Sequence, residues 1–271
     1  MTGAPGFGRP FCFRLVYDSR MNESTRRLSP VLALYPIWQW LVYVPIAVLA
    51  TLICAVLAIL LALLFSPRLA NQTVAVAWCH ILTWLAPVRV VVEGMEHVDS
   101  EQSYVVVANH QSQFDIPVIY GYCGLDLRWV MKAELRKVPF IASGCRAIGH
   151  IFVNRSDPDQ AREAINVAVA RLRPGTGLLF FAEGTRSRSG QLLNFKKGAF
   201  RVAIDQQMPV LPMTVVGTRD VMPADSIRIR PGTVRLRIHP PIATAGMSVK
   251  DLGQLRDGVR DVIAAGLEAG S

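Results

Sequence analysis

Between Leu28 and Pro67 the sequence contains no Lys or Arg, and Ile46 to Phe65 is a 20-residue run whose only polar side chain is Thr51. A helix of that length matches the hydrocarbon core of a bilayer, where a backbone must satisfy its own hydrogen bonds. The run is too long for the apolar part of a signal peptide, and no small-residue cleavage site follows it. A second uncharged segment, Leu69 to Val88, carries Trp78, Trp84 and His80. With Ser66-Pro67-Arg68 as the joint, the two segments predict a helical hairpin over residues 31–88 that enters and leaves the membrane by one face. Arg20, Arg26 and Arg27 before it and Arg89 after it place both ends on the cytoplasmic side. The alternative is a single anchor helix with the second segment in the protein core.

The remaining composition fits a chain that works at a membrane surface. Net charge is +9 with 51% hydrophobic residues, a combination that calls for an anionic partner near apolar material. The basic residues are not interleaved with aromatic stacking positions, which speaks against nucleic acid. The five cysteines show neither CxxC nor metal-ligand spacing, so neither a disulfide framework nor a metal site is expected. Residues 1–30, rich in Gly, Pro, Ser and Arg, read as a flexible basic tail, with Met21 as a second candidate start.

From residue 89 to 271 short β-rich runs alternate with helical patterns. Val88–Glu93, Tyr104–Ala108, Leu127–Met131, Gly177–Phe181, Val210–Val216 and Val234–Ile238 read as strands. Ser156 to Leu172 reads as a helix started by Ser156 and Asp159, and Val249 to Leu267 as a last one. The alternation predicts an α/β fold, a mostly parallel mixed sheet flanked by helices.

Two stretches carry the chemistry-bearing residues. In Val105-Val-Val-Ala-Asn-His-Gln-Ser-Gln-Phe-Asp115 a strand stops at Asn109 and His110, and Ser112-x-x-Asp115 has the form of a helix start with Ser112 as N-cap. His110 would then be a general base at a strand's C-terminal end, with Asp115 fixing its tautomer. The same pattern also describes a capping carboxylate beside a loop histidine. In Phe180-Phe-Ala-Glu-Gly-Thr-Arg-Ser187 a buried strand runs into a turn at Glu183 and Gly184, leaving Thr185, Arg186 and exposed backbone amides. A guanidinium fork beside free N–H groups is a phosphate site, and Arg188, Lys196 and Lys197 add to its field. Gly149-His-Ile-Phe-Val-Asn-Arg155 and Met131-Lys132 each put a cation at the end of a β-run, although Lys132 equally fits an ordinary surface lysine. His150 reads as structural. No Gly-x-Ser-x-Gly occurs, which disfavours a serine hydrolase.

Taken in order, NHQSQFD (109–115), GHIFVNR (149–155), FAEGTRS (181–187) and VLPMTV (210–215) resemble the four blocks of the glycerolipid acyltransferase family, over about residues 75 to 245. The resemblance implies that His110 and Asp115 are the catalytic pair. It implies that Arg155, Glu183, Gly184, Thr185, Arg186 and Pro212 bind substrate, with Lys132 beside them. Ala182 stands where the family usually has proline, which bears on acceptor preference. The implied reaction moves an acyl group from acyl-CoA or acyl-carrier protein to the sn-2 hydroxyl of a lysophospholipid acceptor, lysophosphatidate, without metal or cofactor. The implied place is a bacterial-type inner membrane, with membrane lipids as partners and the site on the cytoplasmic face. Two other readings stay open: acylation of a different lysolipid such as lyso-ornithine lipid, and a non-catalytic anionic-lipid binder.

Overall fold

A computed structural model describes residues 35–154 and 156–270; the basic tail, the first four residues of the expected hairpin and Arg155 lie outside the described residues. The described residues begin with one long helix, α1 (Tyr35–Leu64), interrupted by a π-helical turn at Gln39–Tyr43. It is long and apolar enough to cross a membrane. Ser66 stops and restarts the helix: its hydroxyl accepts the Leu69 N–H at 3.1 Å, and Pro67 occupies the first helical position. The second arm runs through Pro67–Ala70 and the π turn Asn71–Ala75 into α2 (Val76–Leu85).

The second arm packs on the domain. Cys79 and Ala86 lie in the same buried cluster as the sheet residues Val106, Leu179 and Leu236. The first arm is tied to the domain near both ends. Gln39, fully enclosed, donates from Nε2 to the Ile227 carbonyl at 2.8 Å and accepts the Ile229 N–H at 3.0 Å. Further along, Ala58 packs with Ala70 and Ile148 in a small apolar cluster. The other face of α1 stays bare, with Leu49, Ile53, Val56, Leu60 and Leu63 all exposed.

Among the described residues seven strands form one sheet: β1 (Val88–Glu93), β2 (Tyr104–Ala108), β3 (Asp126–Lys132), β4 (Ile151–Val153), β5 (Thr176–Phe181), β6 (Val210–Val216) and β7 (Gly232–Ile238). Their order is β1-β7-β6-β2-β5-β3-β4, and every pairing is parallel except β6 with β7. The expected mostly parallel mixed sheet is what the chain forms. Buried on both faces, β2 and β5 read as continuous apolar runs, because helices cover the sheet on each side.

The covering helices are α3 (Asp115–Tyr122), α4 (Ile141–Ala147), α5 (Pro158–Val169), α6 (Gly198–Asp205) and α7 (Leu252–Glu268). Helix α5 is capped by Asp157, whose side chain accepts the Gln160 N–H at 2.9 Å, so the start falls after the expected Ser156. Pro158 is the reason: its fixed φ and missing N–H suit the first helical position, which leaves the residue before it as the cap. Helix α7 buries Leu255, Val259 and Ile263, one residue per turn, against the face opposite α2.

Candidate active site

Three neighbouring parallel strands, β6, β2 and β5, end at one edge of the sheet, and the loops leaving β2 and β5 meet there. Asn109, the first residue past β2, is completely buried and continues the sheet with its side chain. Its Nδ2 donates to the Val215 carbonyl at 2.9 Å and its Oδ1 accepts the Val215 N–H at 2.8 Å. An amide offers one donor and one acceptor on the same plane, as a peptide group does, so the strand's last pairing is made by a side chain.

His110 follows. Its Nδ1 lies 2.8 Å from Asp115 Oδ2, and the ring stacks on Phe181 with centroids 3.8 Å apart and planes at 17°. A carboxylate only accepts, so Nδ1 carries the proton and Nε2 presents its lone pair. Among the described residues nothing hydrogen-bonds Nε2, and the side chain keeps 14% of its surface open to solvent. Asp115 is wholly buried, and the same Oδ2 accepts the N–H groups of Gln111 at 2.7 Å and Ser112 at 2.9 Å. This corrects the expected cap. Phe114 precedes the helix, while the Ser112 hydroxyl accepts the Phe114 N–H and donates to the Met222 carbonyl. The carboxylate at the start of α3 gathers the loop amides instead, because it reaches back over the five-residue turn that ends in the histidine ring.

Glu183 holds the β5 loop against the β2 loop. It is 2% exposed; Oε1 accepts the His110 N–H at 2.7 Å and Oε2 accepts the Leu193 N–H at 2.9 Å. Burial pushes its carboxyl up to about 7, against the pull of those two N–H groups; nearby Asp115 raises it further and Arg260 lowers it. The Ser187 N–H donates to the His110 carbonyl at 2.8 Å, and Gln111 Nε2 to the Gly190 carbonyl at 3.1 Å. Gly184 turns the chain at φ +75°, where a side chain is strained, and its N–H closes on the Phe181 carbonyl at 3.0 Å. That amide is therefore spent within the turn and is not one of the exposed donors expected there. Thr185 is exposed, and half-buried Arg186 is braced by an Nη1 hydrogen bond to the Ala224 carbonyl at 2.6 Å.

The structure thus brings His110, Asp115, Glu183, Gly184, Thr185 and Arg186 to one edge. Lys132 ends β3 at the same edge but is exposed and pairs with Glu134 at 2.9 Å. Pro212 is elsewhere: it is buried in β6 opposite Val107, three positions back from His110, about 10 Å along the strand. Among the described residues no group of three or more His, Cys, Asp or Glu could hold a metal ion. His150 accepts the Trp129 N–H at 3.3 Å, as a structural histidine does. Sequence reasoning missed Asn109 as a strand extension and Phe181 as the platform under His110. An Asn at a strand end directly before a functional histidine was the one visible signal for the former.

A lone pair at Nε2, a buried carboxylate behind the ring and a braced guanidinium nearby can take a proton from a hydroxyl next to an anionic group. The comparisons with known proteins agree with this chemistry. Residues 89–216 match the acyltransferase family model. The chain is 33% identical over 184 residues to sheep 1-acyl-sn-glycerol-3-phosphate acyltransferase alpha, covering 66% of this chain and 63% of that one. It is 34% identical over 184 residues to a chloroplastic 1-acyl-sn-glycerol-3-phosphate acyltransferase of Arabidopsis thaliana, covering 66% and 51% respectively. The chain thus spans less than two thirds of the length of either relative. The crystal structure of the 1-acyl-sn-glycerophosphate acyltransferase PlsC from Thermotoga maritima superposes with a TM-score of 0.64 at 30% identity, covering 82% of this chain and 97% of that one. By sequence over the strands that build the site, and by fold over nearly the whole of a solved relative, the chain belongs to the acyltransferase family.

Proposed function

We propose that this protein transfers a fatty acyl group from a thioester donor, acyl-CoA or acyl-carrier protein, to the sn-2 hydroxyl of lysophosphatidate, giving phosphatidate. The observation that carries the reading is the His110 Nδ1 to Asp115 Oδ2 hydrogen bond of 2.8 Å, which leaves Nε2 as the only base on the ring. In the proposed step Nε2 takes the acceptor's hydroxyl proton. The oxygen attacks the thioester carbonyl carbon, and the C–S bond breaks as the tetrahedral adduct collapses. The imidazolium returns its proton to the departing thiolate, while the Asp115 carboxylate stabilises the charged ring in between. Glu183 serves as a positioning residue, since both of its oxygens hold loop amides.

Direct transfer is supported by the state of the candidate nucleophiles. The Ser112 hydroxyl donates to the Met222 carbonyl at 2.6 Å rather than to a base. Cys145 lies in α4 beside Arg146 and Ala147, toward the opposite edge of the sheet from His110, and burial pushes its thiol up to about 12. Arg186, held by Ala224, is assigned to the acceptor's phosphate, with Arg155 and Lys132 as further cations.

The membrane role falls to α1. The domain grips the helix at Gln39 and again at Ala58, roughly 28 Å further along at 1.5 Å per residue. A helix held that way lies along the domain, so its bare stripe is buried in one leaflet with the domain at the cytoplasmic surface. On this reading the site faces the bilayer that holds both substrates' acyl chains.

The test is a transfer assay on the purified chain, offering lysophosphatidate beside zwitterionic and neutral lysolipids, with acyl-CoA and acyl-carrier protein as donors. Phosphatidate acylated at sn-2 is the expected product. Transfer to another lysolipid in preference to lysophosphatidate would overturn the acceptor, and no transfer at all would overturn the enzyme.

A further inference from the structure

A cavity of about 890 Å³ opens far from His110. Asp126 and Thr176, the first residues of β3 and β5, line it, whereas His110 follows the last residue of β2. In parallel strands those are opposite edges of the sheet. The cavity runs along the outer strand β4 beneath α5, with the Ser66–Arg68 turn as part of its rim.

Six arginines line it: Arg68, Arg128, Arg136, Arg146, Arg171 and Arg173. Among the described residues Asp126 is the one carboxylate in the lining, and it is already taken. Arg128 holds it through two hydrogen bonds of 2.5 and 3.1 Å, Asn71 Nδ2 donates to it at 2.6 Å, and Arg68 Nε sits 3.8 Å away. Among the described residues no carboxylate lies within ion-pairing distance of Arg136, Arg146, Arg171 or Arg173. The shape is specific as well: Gly149, at φ +84°, leaves out a Cβ that would stand 3.1 Å from Arg128 Nε, so the guanidinium can lie against the wall. Like charges gathered in a concavity repel one another and focus a positive field outward, an arrangement that an entering anion relieves. Guanidinium groups pair with the oxygens of a phosphate through charge-assisted hydrogen bonds.

The neighbourhood decides where that phosphate comes from. Beside the rim, Leu63, Leu64 and Phe65 are 78, 73 and 72% exposed. They end the helix assigned to the bilayer. Ala164, Val167 and Ala168 of α5, with Leu172 just past its end, contribute an apolar track leading from the arginines. We propose that this cavity binds the phosphate headgroup of an anionic phospholipid, as a site separate from the one at His110. The proposal rests on the membrane placement of α1 and not on acyl transfer.

The test uses the full chain in neutral detergent, with dihexanoyl phosphatidylglycerol as probe and calorimetric titration as readout. Wild type is expected to bind it, and Arg146→Gln/Arg171→Gln/Arg173→Gln to bind at least about tenfold more weakly, since three charge-assisted donors are lost. Arg235→Gln/Lys250→Gln/Arg256→Gln removes the same charge elsewhere and is expected to bind as wild type does. Wild-type affinity in the cavity triple would overturn the site. Equal weakening in both triples would replace it with a diffuse field. Inorganic pyrophosphate binding as tightly as the lipid, and displacing it, would overturn the lipid assignment. Arg146, Arg171 and Arg173 are exposed, so the fold should tolerate their loss. If the triple melts early, the single variants Arg171→Gln and Arg173→Gln carry the same comparison. Acyl transfer in neutral detergent is expected to be unchanged in the cavity triple, which separates failure here from failure of the acyltransferase reading.

Discussion

The Glu183 carboxylate accepts the backbone N–H of His110 at 2.7 Å, across 73 residues of sequence, so the turn after β5 sets the position of the histidine after β2. Glu183→Gln keeps one oxygen but sets an NH₂ group against a backbone N–H. Losing that buried hydrogen bond costs about 1 to 3 kcal/mol. We expect lower activity with substrate binding less affected, because the histidine shifts while the cations stay.

The same residue gives stability a pH signature. Burial raises the folded carboxyl from 4.5 to about 7, so between those values the folded state binds more protons than the unfolded one. Its stabilising contribution is complete below the unfolded value and is lost as pH rises through about 7. Melting temperature measured from pH 5 to 8 should fall more steeply in wild type than in Glu183→Gln. Parallel curves would show that the carboxyl titrates normally.

His110→Ala is expected to abolish transfer and Asp115→Ala nearly to do so, with both proteins folded and membrane-bound. Because the two act as one unit, the double variant should be little worse than His110→Ala alone. Kinetics on the three proteins decide this; strictly multiplicative losses would mean independent roles.

Asn109→Ala leaves the Val215 N–H and carbonyl unpaired in a buried position, at about 1 to 3 kcal/mol for each group. Asn109→Asp should not rescue it, since a carboxylate oxygen then faces the Val215 carbonyl. Denaturant unfolding of both variants is the measurement, and wild-type stability in either would contradict the side-chain extension of the sheet.

Arg186→Lys should lower transfer efficiency on lysophosphatidate by about tenfold to hundredfold, because an ammonium cannot reproduce a fork braced on one side. On an acceptor without a phosphate monoester the loss should be smaller. If the efficiency ratio of the two acceptors does not change, the phosphate is read elsewhere.

Donor alone should release no stoichiometric burst of free thiol. Ser112 is turned toward Met222, and Cys145 lies in α4 toward the opposite edge of the sheet, so neither is placed to accept the acyl group. A burst would replace direct transfer with a covalent route.

The sequence by itself determined the local elements and the local chemistry. β-Branched runs specified the strands, since a sheet covered on both sides needs apolar residues at every position, and Val210–Val216 falls where its pattern placed it. The His110 and Asp115 pairing was legible as one of two readings of the segment, since a strand end followed by a helix start turns the chain between them, and the two side chains meet at 2.8 Å. Depth and partnership required the tertiary structure. Pro212 sits in a block that runs toward the site, but only the register of β6 against β2 shows it three positions away. Glu183 looked like a ligand for substrate, and only the adjacency of β2 and β5 reveals that both its oxygens belong to the backbone. The apolar run of α1 marked a helix fit for a membrane, yet how it lies on the domain depends on Gln39 meeting Ile227 and Ile229, contacts 188 and 190 residues apart in sequence. Period and composition act over a few residues; burial of a polar group is decided by whatever the fold brings opposite it.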